Sequence, residues 1–411
     1  MHVLITGASG FIGRHAADAL EAAGHRVTRK VRPDIDFRRD VDADRWVAHV
    51  RGVDVVVNAV GVFASASDDA MHDVHVRAPI ALFEACAREG VRVVQVSALG
   101  ADEHATSRFH RSKRAADDHL RATHRDAVVL QPSLVYGRGG ASASMLGTLA
   151  SLPLVPLPGD GSQRIQPVHV DDVAAAIVDV VDRPGDAPTT VPLVGPRALT
   201  LRDYLQALRT ALGGARAIFV PVPRAWVHAA VLLGAALRSP WASDEALAML
   251  ERGNTADPSA LATLLGREPR PVEAFVDPSE RDEAGRAARL PWTLGPLRLS
   301  LAAVWLATAA VTLFAYPMDA SVAMVERTGL HGPLAVAAVY AGAVVDAAFG
   351  VATLVVRRAR WLWIAQAAVT LAYSAIIAVA LPEYLVHPFG PLTKNLPILA
   401  VLAMLYAMER R

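Results

Sequence analysis

Short valine-rich runs recur through the first half of the chain: HVLIT, HRVTRKV, VDVVVNAV, VRVVQVS and AVVLQPSLVYG. Most are unbroken by charge, as strands buried on both faces of a parallel sheet are, whereas half-exposed strands alternate. Between them lie segments with apolar positions at helical spacing, FIGRHAADALEAAG closed by Gly24 and PIALFEACAREG closed by Gly90. Glycine suits both ends because it enters the left-handed region without steric cost. The repeated strand, helix, strand order predicts a doubly wound α/β sheet. From about residue 140 to 290 the pattern loosens. There LPLVPLPGDG reads as a loop and HVDDVAAAIVDVV as a helix capped by Asp171 or Asp172, in what is expected to be a smaller, substrate-facing lobe.

Past residue 290 the periodicity changes to four long apolar stretches, 297–315, 333–356, 361–381 and 390–408. A bilayer-spanning helix needs ~20 apolar residues, so an all-α, four-span membrane domain is expected over 291–411, after an α/β region over 1–290. The boundary is expected at SERDEAGRAARLPW, residues 279–292. Arg281, Arg286 and Arg289 precede the first span, Arg357, Arg358 and Arg360 separate the second from the third, and Arg410 and Arg411 follow the fourth. All three clusters fall on one side of a four-span bundle. The positive-inside rule makes that side the cytoplasm and the chain a multi-pass inner-membrane protein, with its α/β region and C-terminus cytoplasmic. The other two loops, YPMDASVAMVERTGLHGP and PEYLVHPFG, carry one arginine between them.

Asp346 falls near the middle of the second span, where a lone acid costs about 2.5–3.5 kcal/mol, so a pairing or functional role is its default reading. Lys394, near the end of the fourth, can snorkel to the surface. Trp361 and Trp363, beside the arginines, read as interfacial anchors.

Composition removes several functions. The 411 residues are 53% hydrophobic, with 41 basic against 40 acidic side chains and a net charge of +1. No basic run interleaved with aromatics is present, so nucleic acid is not an expected partner. A single cysteine, Cys86, excludes an internal disulfide or redox pair, and none of the 14 histidines has metal-ligand spacing, so no metal is expected. The first residues, MHVLITGASG, are already strand and turn, without the pattern of a signal peptide.

The first strand turns into TGASGFIG, which spaces Gly7, Gly10 and Gly13 at the opening of a helix. Backbone N–H groups and the positive helix end can cradle a pyrophosphate in that context, with Ser9, Phe11 and Ile12 among the residues expected at the nucleotide. An NAD-specific site places an acid ~20 residues further on, to hold the ribose 2′-hydroxyl. Here the second strand ends among Arg29, Lys30 and Arg32, cations that suit a 2′-phosphate, so NADP(H) is expected over NAD(H). Asp40 is expected near the adenine, and Ala59, Val60 and Gly61 of NAVG along the cofactor.

With TGASGFIG, NAVG, VSALGAD, SK followed by a helix, QPSLVYGRGG and PVHVDDVA in this order, residues 1–180 resemble an extended or atypical short-chain dehydrogenase/reductase. They are similar to the branch that contains the NAD(P)H-binding accessory subunit of respiratory complex I. The apolar region, with GPLTKNLP, resembles a DoxX-like membrane domain. Active members of the wider family carry a serine after the fifth strand and a tyrosine four residues before a lysine. The lysine holds the nicotinamide ribose and lowers the phenol's pKa, and the phenol exchanges a proton with the substrate. The resemblance puts Ser97 and Lys113 in the serine and lysine places, but Phe109, in SRFHRSK, stands where the tyrosine would be. None of the seven tyrosines has a lysine four residues later. His110 lies ~100° round the helix from Phe109, and Tyr136 and His104 are the remaining stand-ins.

Loss of one general acid costs roughly 10² to 10⁴ in rate, which disfavours a standard carbonyl reductase or epimerase and leaves nucleotide binding intact. Two readings stay open. One is a membrane-anchored oxidoreductase acting on a lipophilic acceptor such as a quinone or isoprenoid. The other is a nucleotide-binding, non-catalytic subunit or sensor docked to a partner membrane protein.

Overall fold

A computed structural model describes residues 1–63, 68–185, 189–229, 244–356, 360–388 and 390–409. Arg357, Arg358, Arg410 and Arg411 lie outside the described residues. The chain divides into two compact units, Met1–Arg289 and Leu290–Arg411.

The first unit is built on six parallel strands: β1 (His2–Thr6), β2 (Arg26–Lys30), β3 (Val55–Asn58), β4 (Arg92–Val96), β5 (Val128–Pro132) and β6 (Thr190–Leu193). Their spatial order is β6-β5-β4-β3-β1-β2. Successive side chains of a strand point to opposite faces, and both faces of this sheet are covered, which is why the strands read as continuous apolar runs. Val3 and Ile5 join a core with α1 (Phe11–Ala22) and the helix Val170–Asp182. Leu4 faces the other core, built by α2 (Ala43–Val50), α3 (Ala78–Glu89) and α4 (Arg108–Thr123), where Trp46, Leu82 and Leu120 are buried. Gly90 closes α3 in the left-handed region, as its sequence suggests, and Cys86 is buried.

The lobe departs from the sequence reading in two places. LPLVPLPGDG is not all loop: Leu154–Pro158 is a strand, paired in parallel with Ile218–Val222, with Val155 and Leu157 turned inward. Two prolines remove two donors, which a two-stranded edge tolerates. The helix Val170–Asp182 is capped by neither aspartate. His169 stands at the N-cap and accepts from the Asp171 amide, while both aspartates occupy the first turn.

Among the described residues, three helices are long and apolar enough to cross a membrane: Arg281–Ala315, Pro333–Val355 and Arg360–Ala380. The division at Arg289 falls within SERDEAGRAARLPW, and that stretch is mostly helix, with Pro291 and Pro296 inside Arg281–Ala310. The expected fourth span is shorter than foreseen. Asn395–Met408 has 14 residues, about 21 Å at ~1.5 Å per residue, against a hydrocarbon core of ~30 Å. The segment between the first two spans is not simply a loop, since Met318–Glu326 is helical.

Trp363 is no surface anchor: it is buried, and its indole donates to Glu409 at 2.5 Å, whereas Trp361 is exposed. A buried polar clasp joins three helices, Trp305 donating to Gln366 at 2.8 Å and Gln366 to Thr353 at 2.9 Å. Asp346 is buried, with one carboxylate oxygen lacking a partner, and among the described residues it forms no ion pair with Lys394.

Candidate functional site

Strand order reverses between β1 and β3, and in an open parallel sheet ligands bind beyond the carboxyl ends at that switch point. Three polar residues mark it. Thr6, Asn58 and Gln95 are register partners on β1, β3 and β4. The Thr6 hydroxyl donates to Asn58 Oδ1 at 2.7 Å, and Asn58 Nδ2 donates to Gln95 Oε1 at 2.8 Å. The chain of two bonds joins the three buried side chains, so the strand ends are held in one arrangement.

Gly7 follows β1 with φ +73°, and a β-carbon there would lie 2.9 Å from the carbonyl of Ala59. At Gly13 a β-carbon would meet the Gly7 oxygen at 2.2 Å. The glycines therefore let the turn lie close against both the loop after β3 and the helix that follows. No side chain caps α1, whose N-cap is Gly10, so its first N–H groups are free for an anion. A cleft of about 410 Å³ opens here, bordered by Gly7, Ser9, Gly10, Ala59, Val60 and Gly61. Lys30, Arg32, Asp36 and Arg38 border it on the β2 side. A narrow backbone cradle next to cations fits a dinucleotide.

Several residues named from the sequence are placed elsewhere. Phe11 turns toward the lobe, where a β-carbon at Gly140 would stand 2.9 Å from its ring. Ile12 packs on the core and Gly13 is buried, so both shape the turn from behind. Asp40 lines a neighbouring depression with Arg45, Trp46 and His49. Its carboxylate is used internally, accepting from the Asp36 amide at 2.6 Å and from Arg45 at 2.7 Å. Asp36 is the acid that borders the cleft, and its side-chain bonds to Arg38 hold its carboxyl below the usual range. Arg29 faces away, bound to Asp18 at 2.6 Å and Glu21 at 2.8 Å on α1.

Behind Gly61 lies the second half of the site. Ser107 caps α4 by accepting from the His110 amide, so the SK pair lies inside the helix, one turn from its start. His110, Lys113, Asp117 and Leu120 share its buried face. Lys113 Nζ donates to the carbonyls of Val60 at 3.0 Å and Val96 at 3.2 Å. Burial brings its pKa down to about 8. Ser97 follows β4, the fourth strand of the sheet in chain order and not the fifth, and its hydroxyl donates to Asp117. Burial pushes Asp117 up to about 6.

Phe109 occupies the tyrosine's place within a ring cluster, 5.6 Å from Phe63 and 5.5 Å from His75 between centroids. His75 was missed from the sequence. It sits on a π-helical turn, Asp73–Arg77, and Val62 N–H donates to its Nε2 at 3.0 Å. That bond leaves the ring hydrogen on Nδ1, which donates to the Ser112 hydroxyl at 2.9 Å. Burial and the Lys113 charge bring His75 down to about 3, so the ring is neutral. Of the other stand-ins, His104 is exposed beside Glu103. Tyr136 stacks on Phe275 at 5.1 Å and lines a separate cavity of about 240 Å³ in the lobe.

Residues 3–193 match the NAD dependent epimerase/dehydratase family, and residues 302–403 match the DoxX-like family. The chain joins an epimerase-like NAD-binding domain to a DoxX-like domain. A ceramide reductase of Caulobacter vibrioides is 32% identical over 43% of this chain and 59% of its own length. The epimerase-like chain is also 27% identical to the mouse mitochondrial NADH dehydrogenase [ubiquinone] 1 alpha subcomplex subunit 9, over 66% of this chain and 77% of that one. Among solved structures, the UDP-N-acetylglucosamine 4-epimerase of Bacillus cereus superposes with a TM-score of 0.52. It is 15% identical and covers 71% of this chain and 99% of its own, a likeness of fold alone.

Proposed function

We propose that this protein is a membrane-anchored, NADP(H)-preferring reductase of a lipophilic acceptor such as a quinone or isoprenoid. The observation that carries the reading is the glycine-lined cleft at the switch point, with Lys30 and Arg32 on its β2 side. Those cations suit a 2′-phosphate, while Asp36, engaged by Arg38, is the competing feature that would suit a 2′-hydroxyl. When bound, a dihydronicotinamide supplies a hydride. The residues proposed to hold the dinucleotide are Gly7, Ser9, Gly10, Arg32, Ala59, Val60 and Gly61, with Lys113 fixing the loop behind the nicotinamide side. Phe109 supplies no proton, so the acceptor takes one from water, which an electron-poor quinone does readily and a simple ketone does not. A relative named ceramide reductase supports a lipid acceptor.

The nucleotide-binding unit is proposed to face the cytoplasm, since Arg281, Arg286 and Arg289 precede the first apolar stretch and Arg360 opens the third long helix. The C-terminus joins that side if Asn395–Met408 and its flanks complete a fourth crossing.

A second reading, nucleotide binding without turnover, draws on the engagement of Ser97 by Asp117 and of Lys113 by two carbonyls. One experiment separates the two: titrate NADPH and NADH into the full chain in lipid nanodiscs, then follow NADPH oxidation with a short-chain quinone. Tight NADPH binding with turnover supports the reductase, and Arg32→Ala should cost about tenfold in NADPH affinity, roughly 1.4 kcal/mol, with little change for NADH. Tight binding without turnover of any acceptor supports the second reading. A folded chain that binds neither nucleotide ends both.

A further inference from the structure

The cavity beside Tyr136 lies outside the dinucleotide cleft, and its chemistry differs from that of the cleft. Its volume is about 240 Å³. Buried Ala143, Gly147, Leu212 and Phe275 form its depth, and the small residues Ala287 and Ala288 close one side. Charge is confined to exposed side chains at the rim, where Arg138 lies 2.7 Å from Glu283 and 3.8 Å from Glu280. The ring of Phe11, from the first position of α1, stands directly behind that rim, against Gly137 and Gly140. The cavity is thus one side chain away from the start of the dinucleotide helix.

We propose that this cavity receives the single hydrocarbon chain of the acceptor, which makes the substrate an amphiphile with one slim tail. This rests on the reductase reading and narrows its substrate class. Size and charge argue together. Pockets for compact drug-sized ligands span about 300–1,000 Å³, so this volume is small for a sugar nucleotide and adequate for a slender chain. A phosphate at the mouth would face Glu280 and Glu283, with Arg138 already bound between them, whereas a neutral head group meets no such repulsion. Helix placement agrees: Ala287 and Ala288 belong to Arg281–Ala310, the helix whose later residues form the first apolar stretch.

The depth of the cavity can be filled without disturbing the nucleotide cradle. A β-carbon at Gly147 would stand 3.8 Å from Ala288 and Leu212, ordinary contact, so a longer side chain there grows into the space. The test uses the full chain in nanodiscs and a long-chain methyl ketone that carries a diazirine near the end of its tail. Illumination should label peptides spanning residues 143–147 and 284–288. Gly147→Leu should cut that labelling about tenfold or more, the scale of a few lost apolar contacts in a pocket, with NADPH affinity unchanged. Ala287→Leu serves as a second occlusion should Gly147→Leu fail to bind NADPH. Labelling that is undiminished in both variants, or confined to residues 290–411, overturns the proposal. Cavity labelling by a chain that binds NADPH but shows no NADPH oxidation with a short-chain quinone leaves the chain site standing and removes the reductase reading instead.

Discussion

Lys113 Nζ stands 3.0 Å from the carbonyl oxygen of Val60 and so fastens helix α4 to the loop that borders the glycine-rich turn. With its bond to Val96 O, this ammonium satisfies two carbonyls at once. Lys113→Met keeps the length of the side chain and removes both bonds. It should destabilise the first unit by about 2–3 kcal/mol and weaken NADPH binding about tenfold. Urea unfolding read by proteolysis of residues 1–289, alongside a nucleotide titration, measures both. Wild-type values for the two would mean that Lys113 neither holds the loop nor serves the nucleotide.

Gly13 offers a purely steric test. Its added β-carbon would sit 2.2 Å from the Gly7 oxygen, a backbone atom with no room to yield. Gly13→Ala is expected to cost about 2 kcal/mol or more and to abolish nucleotide binding, as overpacking against backbone does. Gly147→Ala, whose nearest new neighbours lie at 3.8 Å, should stay near wild type in the same assays. Equal behaviour of the two variants would count against the close-packed turn.

Phe109→Tyr restores a phenol one helical turn before Lys113, beside the neutral ring of His75. If the missing acid limits turnover, reduction of a long-chain ketone should rise by roughly 10², while the NADPH dissociation constant holds. Stopped-flow NADPH oxidation gives the rate. Unchanged turnover with intact nucleotide binding would show that no reacting carbonyl visits this position.

His75 makes a pH-dependent contribution with a definite sign. Its pKa falls from 6.5 to about 3 on folding, through burial and the Lys113 charge. Between those values the unfolded chain binds a proton that the folded chain does not, so stability rises with pH there and is lost as pH falls below ~6.5. Going from about pH 6 to about pH 5, His75→Asn should lose about 1 kcal/mol less than wild type. Asp117, pushed up to about 6, acts in the opposite sense but is common to both proteins. Parallel curves would place His75 in a solvated setting.

The valine-rich strands, the helix stop at Gly90 and the apolar C-terminal helices were legible because each follows from local period and composition. So was the glycine-rich turn after β1. Thr6, Asn58 and Gln95 left a readable trace too: each is a polar residue at or near the end of an otherwise apolar strand, the position that faces a switch-point ligand. Their register, and hence their bonding, required the sheet. His75 left no trace, since a histidine between valines on a helix reads as core, and only packing set it against Phe109. Arg29 and Asp40 misled for the matching reason. Sequence gives the charge of a side chain, but the partners on α1 and α2 decide whether that charge reaches the cleft.

What the chain determined by itself was therefore what depends on neighbours along it: strand and helix period, glycine turns, membrane-length helices, and the absence of a hydroxyl at Phe109. What tertiary structure decided was what depends on distance across it. The donation of Ser97 to Asp117 and the apolar depth beside Tyr136 join residues far apart in sequence, and even the ion pairs that withdrew Arg29 and Asp40, with partners 5 to 11 residues away, depend on how each residue is turned onto its neighbouring helix. Hydrogen bonds and ion pairs act over a few ångströms, so only folding determines which of the groups the sequence supplies can meet.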